Sequence, residues 1–130
     1  MKIFIGQRVT GEDIENLKEE TEQIANALEK KGHEPYSTME EDESQFENAG
    51  DWVKHAFKQL DEHDAFLAVV RSEDKSEGLL MEVGYALSKG LKFILAIQED
   101  VKNTYLRDMA DRVIEFKDVD DLINKVGRIK

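Results

Sequence analysis

At 130 residues, with 40% hydrophobic and 36% charged positions, the chain is long enough for one ordered domain with a buried core. A net charge of -11 repels phosphate backbones and anionic lipid, which sets nucleic acid and membrane surfaces aside. A small anionic ligand stays open, because it needs only a local cluster of donors. Cysteine is absent, so disulfides and thiolate metal sites are excluded.

The N-terminus turns polar after a few apolar residues, and no later run is long enough to span a bilayer, so the expectation is one cytoplasmic domain over residues 1–130. Lys2 to Ile5 reads as a short strand stopped at Gly6. A long polar helix follows Thr10-Gly11-Glu12-Asp13, with Ile14, Leu17, Ile24, Ala25 and Leu28 at helical spacing. Gly32 stops it, and 33–37 is a weak second strand. The acidic stretch 39–50 reads as a solvated loop. The next helix carries Trp52, Val53, Ala56, Phe57 and Leu60 on one face. Residues 64–70 and 92–97 are continuous apolar runs, as in strands covered on both faces. Between them lie the loop 71–78 and a helix ending at Gly90. A loop with a short helix, the strand 112–116 and a closing helix over 118–129 complete the chain.

Strands alternating with helices predict an α/β fold: a single-domain, doubly wound, five-stranded parallel sheet in a flavodoxin-like or Rossmann-like three-layer sandwich. Ligands of such sheets bind outside the carboxyl ends of the strands. Glu82 stands one turn into the helix that starts at that edge. Its neighbours three and four residues away are Gly78, Leu79, Tyr85 and Ala86, which provide no cation. It either faces water or is partly buried with a raised pKa. Gly6-Gln7-Arg8-Val9-Thr10-Gly11 has the layout of a phosphate-binding turn, with backbone donors, an amide and a guanidinium. It lacks the spacing of the dinucleotide fingerprint and the Lys-Ser/Thr pair of a P-loop, and a purely geometric turn is the competing reading. Ser76 and Gly78 open the Glu82 helix, where Ser is also an ordinary cap. His33, His55 and His63 show no metal-ligand spacing, and no nucleophilic triad is evident, so neither metal nor cofactor is expected.

At Met81-Glu82-Val83-Gly84-Tyr85-Ala86-Leu87 the chain resembles the nucleoside 2-deoxyribosyltransferase superfamily, which includes the 2'-deoxynucleoside 5'-phosphate N-hydrolases. There a helix reading like M-E-L-G-Y-A-L carries the nucleophilic Glu. The resemblance implies that Glu82 attacks the anomeric carbon and expels the nucleobase. A glycosyl-enzyme ester forms and is resolved by water or by a second base. Six residues before the Glu, nucleoside transferases carry Asp and nucleotide hydrolases carry Ser. Ser76, with Gly6, Gln7, Arg8, Gly11 and Gly78, therefore implies a nucleoside 5'-monophosphate, with the unphosphorylated nucleoside as the other ligand. Three family positions differ. Ile3 and Phe4 stand where a Tyr orients the nucleophile, Ala56 replaces a helix Asp, with His55 beside it, and Leu80 replaces a Gly. His55 is the candidate to stand in for the Asp. Phe4 and Ala56 favour the alternative, a non-catalytic nucleotide-binding or sensing domain of the same fold.

Once Leu79, Val83 and Leu87 turn inward, Leu80, Met81 and Tyr85 are left over as an apolar patch, which predicts at least a homodimer through residues 79–87. In the family a neighbouring subunit completes each site. Here the loop 103–107 would be the donor, with Arg107 reaching the neighbour's phosphate.

Overall fold

The computed structural model describes residues 1–130. Five strands form one all-parallel sheet: β1 (Lys2–Gln7), β2 (Glu34–Tyr36), β3 (Ala65–Val70), β4 (Lys92–Gln98) and β5 (Arg112–Phe116), in the order β2-β1-β3-β4-β5. The connecting helices are α1 (Ile14–Glu29), α2 (Ala49–Leu60), α3 (Glu77–Ser88), the single turn α4 (Leu106–Met109) and α5 (Val119–Val126). The expected three-layer α/β sandwich is the observed one.

Side chains alternate across the strands, so β1, β3 and β4 each feed two cores. Ile3, Ile5, Leu67, Val69, Ile94 and Ala96 meet Ile24 and Leu28 of α1 and Leu122 and Val126 of α5. Phe4, Phe66, Ala68, Phe93, Leu95 and Ile97 meet Ala56 and Leu60 of α2 and Leu79, Val83 and Ala86 of α3. The middle strands are buried on both faces, which is why β3 and β4 lack polar alternation.

Four boundaries or roles differ from the sequence reading. The first strand does not stop at Gly6: Gly6 and Gln7 pair with Ala68 and Val69 of β3. The closing helix ends at Val126, short of residue 129. The acidic stretch is no plain loop. Two 3-10 turns, Thr38–Glu40 and Glu43–Gln45, are capped by Ser37 and Asp42, and Ser37 with Glu40 completes a reciprocal capping box. Tyr85 is not left over: its ring stacks on Phe57 at 4.3 Å and its hydroxyl donates to Asp61 at 2.7 Å. Leu80 and Met81 do remain open, 41% and 43% exposed. No helix is long and apolar enough to cross a membrane.

Candidate active site

The carboxyl edge of β1 and β3 is roofed by the start of α3. Ser76 begins that helix, its Oγ accepting from the Leu79 N–H at 3.1 Å. Capping uses a lone pair of the hydroxyl and leaves its hydrogen free to donate. Glu82 follows a turn and a half later and points back at the sheet. Gly6 marks how closely: a Cβ built there would lie 3.1 Å from Glu82 Oε1 and 2.5 Å from the Phe66 ring. Only a residue without a side chain lets the strand pass beneath both groups. No protein hydrogen bond reaches the Glu82 carboxylate, and burial pushes its pKa up to about 7. Of the two states open to Glu82 in the sequence, the structure selects the partly buried one.

Beside it stands a group that no sequence motif announced. Tyr36 ends β2, paired in register with Phe4 of β1, their ring centroids 5.4 Å apart. Its hydroxyl donates to Glu41 Oε1 at 2.7 Å. His55 Nε2, from α2, lies 3.2 Å from the same oxygen and 3.3 Å from the Tyr36 hydroxyl. The bond from Tyr36, helped by those from His55 and Gln45, holds Glu41 below the ordinary carboxylate range. Burial and the hydrogen bond to Glu41 push Tyr36 well above the ordinary phenol range, and the charge on Glu82 adds to the shift. Tyr36 thus stays a protonated donor whose surroundings include both carboxylates.

The proposed phosphate turn is more internally committed than its sequence suggests. Gln7 is buried, its carbonyl accepting from Arg71 Nη1 at 2.9 Å and its amide donating to Thr21 Oγ1 at 2.5 Å. Arg8 pairs with Glu12 at 2.7 Å and lies 3.8 Å from Asp74. Gly11 has φ +84°, in the left-handed region, and a Cβ there would lie 2.8 Å from Arg8 Nη2. Arg71, just past β3, bonds Glu20 at 3.0 Å, while its buried Nη2 has no partner. That Nη2 is a buried donor left without a hydrogen bond although the rest of the guanidinium is held. A cation directly after a wholly apolar strand was the available sequence signal for it.

A small cleft of about 40 Å³ opens here, lined among others by Arg8, Arg71, Ser76, Leu79 and Asn103. Nucleotide-sized sites span roughly 300 Å³ or more, so this one has room for a single small group. Glu82 does not line it. The unpartnered carboxylate, not the cleft, is the more unusual feature of this edge, because a desolvated charge without a partner is costly to keep. Gly78 faces Val53 of α2 at 4.0 Å from its virtual Cβ, which keeps the two helices close. Arg107 pairs with Glu115 at 2.9 Å and donates to the carbonyl of Val101, a lining residue of the cleft in its own chain.

Three solved structures share the architecture. A CMP N-glycosidase of Clostridium botulinum superposes with a TM-score of 0.71 at 22% identity, covering 97% of each chain. A 2-deoxyribosyltransferase of Bacillus psychrosaccharolyticus gives 0.71 at 21% identity, covering all of this chain and 93% of the other. A conserved protein of Enterococcus faecalis gives 0.68 at 15% identity, covering 97% and 96%. At such identities the likeness is one of fold. No curated protein matches the sequence. The family model described as nucleoside 2-deoxyribosyltransferase matches residues 5–123, nearly the whole chain including Glu82, and the protein therefore belongs to that family.

Proposed function

We propose that the protein is an N-glycosidase that cleaves the base–sugar bond of a nucleoside 5'-monophosphate, with Glu82 as its nucleophile. Family membership supports the reaction class, cleavage or transfer at the N-glycosyl bond of a nucleoside or nucleotide. The observation that carries the finer reading is the state of Glu82: a carboxylate held against the Gly6 backbone, without a protein partner, its pKa raised by burial to about 7. An unpaired, desolvated carboxylate is costly in the free protein. It becomes favourable when positive charge develops at the anomeric carbon, so its stabilisation is larger in the transition state than in the ground state. In this reading a Glu82 oxygen then closes the glycosyl ester.

For the 5'-phosphate the support is the free hydrogen of Ser76, the unpaired Nη2 of Arg71, and Arg8. A phosphate near two negative charges gains charge-assisted bonds from such donors despite the acidic surface. His55, within reach of both Tyr36 and Glu41, is the candidate acid for the departing base.

Incubation with a panel of ribo- and deoxyribonucleoside 5'-monophosphates, followed by chromatography of the free base, tests the reading. The parent is expected to release base from at least one member, and Glu82→Ala to fall by at least about a thousandfold while keeping its melting profile. Turnover by Glu82→Ala at the parent rate removes the nucleophile assignment. A parent that binds a monophosphate and releases nothing supports the sensing domain instead.

A further inference from the structure

The acidic segment between β2 and α2 holds the His55 imidazole by edge and face. Glu41 Oε1 lies 3.2 Å from Nε2, and the Phe46 ring packs against the imidazole at 5.1 Å while also touching Trp52 at 4.3 Å. Tyr36 contributes the second oxygen facing Nε2, at 3.3 Å. Its one hydroxyl hydrogen is already given to Glu41, so it can offer Nε2 only a lone pair. Two oxygens, one of them an ionised carboxylate, therefore converge on the same ring nitrogen. A bare Nε2 would set its lone pair against both, so Nε2 must carry the hydrogen. The other nitrogen, Nδ1, has no partner in the protein.

We infer that Glu41 is a positioning residue for base departure, fixing His55 with Nε2–H inward and Nδ1 free to exchange a proton with the leaving nucleobase. This rests on the glycosidase reading above. In the first half-reaction a Glu82 oxygen forms a bond to C1', and the C1'–N electron pair leaves with the base. The imidazolium gives its Nδ1 proton to that base and becomes the neutral Nε2–H tautomer. In the second, a water oxygen bonds to C1', the ester pair returns to Glu82, and Nδ1 takes the water's proton. Charge and atoms balance over the cycle, and only water is consumed. Glu41 never meets the substrate. It makes the neutral form left after the first proton transfer the tautomer whose free nitrogen can take the proton of the second.

Glu41→Gln keeps the size of the side chain and removes its charge, so the test compares two leaving groups. With the nucleoside monophosphate, kcat is expected to fall roughly ten- to a hundredfold, at or below the lower end of the range for general acid–base effects because His55 itself is kept, while KM stays within about twofold. With 4-nitrophenoxide at C1' of the same sugar phosphate, a leaving group that needs no proton, kcat should change less than about twofold. Long-range proton–nitrogen NMR of the parent, above the pH at which the ring is neutral and with His55→Gln for assignment, should show the Nε2–H tautomer. Equal losses on both leaving groups, no loss on either, or an Nδ1–H tautomer in the parent overturns the inference. A parent that acts on no nucleotide at all overturns the glycosidase reading first, and the positioning role with it.

Discussion

At the scale of single residues, Glu82 couples stability to chemistry. Its pKa is raised from 4.5 to about 7 by burial, so the folded chain binds this proton more tightly than the unfolded chain does. The stability it contributes is fully present below pH 4.5 and is lost as pH rises through about 7, a difference no larger than about 3.5 kcal/mol. Glu82→Gln removes that dependence. Thermal melts should show the variant more stable than the parent above pH 7, with the gap closing toward pH 4.5; a constant gap would place the charge in water. Activity runs the other way. In the proposed role as nucleophile Glu82 must be ionised, so kcat/KM of the parent should rise with pH through about 7. Gly6 is the second residue on which the site depends. Gly6→Ala puts a methyl group 2.5 Å from the fully buried Phe66 ring and 3.1 Å from Glu82 Oε1. Overpacking of this kind costs about 1–3 kcal/mol, and a nucleophile displaced by about 1 Å costs on the order of a hundredfold in rate. Urea melts and turnover measured together check it, and a variant normal in both would mean that the strand does not run beneath Glu82.

Among the elements, α3 offers the cleanest substitution. Ser and Asp are both good N-caps, so Ser76→Asp should preserve the helix while setting an anion beside the Arg8–Arg71 edge. Calorimetry should show the monophosphate weakened at least about tenfold, roughly 1.4 kcal/mol, and the bare nucleoside nearly unchanged. Equal losses for both ligands would refute a phosphate role for Ser76. How much of this was legible in the sequence varies by element. The apolar runs of β3 and β4 announced a parallel sheet, because strands covered twice have no polar face to show. Gly6-Gln7 looked like a strand terminator, since Gly and a polar residue usually break a strand; the carboxylate that requires Gly6 lies 76 positions later. Glu41 was hidden among like charges, and only Tyr36 and His55, adjacent in space, distinguish it from its acidic neighbours. Arg71 was passed over for the same reason: its partners Glu20 and Gln7 are 51 and 64 residues away. Short-range patterns reveal elements, while sites are assembled from long-range pairs.

For the whole molecule, the open question is whether one chain makes a complete site. Leu80 and Met81 stand exposed on the helix that carries Glu82, and the cleft in a single chain has room for only a small group. We expect a homodimer through this face, with α3 of one copy against α3 of the other. Tyr85, stacked on Phe57, supports the face from behind instead of joining it. Light scattering at micromolar concentration should give twice 14.9 kDa, and Leu80→Glu with Met81→Lys should return the mass to that of one chain. A parent that is monomeric throughout would end the case for a shared site.

The two cores of the sheet have a separate consequence for how this protein can change. Glu82, Ser76, Tyr36 and His55 all belong to the side covered by α2 and α3, while the core beneath α1 and α5 holds none of them. Apart from Glu20 and Thr21 of α1, which hold Arg71 and Gln7, substitutions in that second layer, at Leu28 or Val126 for example, act on stability alone, because no proposed site residue rests on them. That half of the molecule is a reserve: it can absorb sequence drift, or be strengthened deliberately, to offset the destabilising changes that a new substrate would demand on the other side.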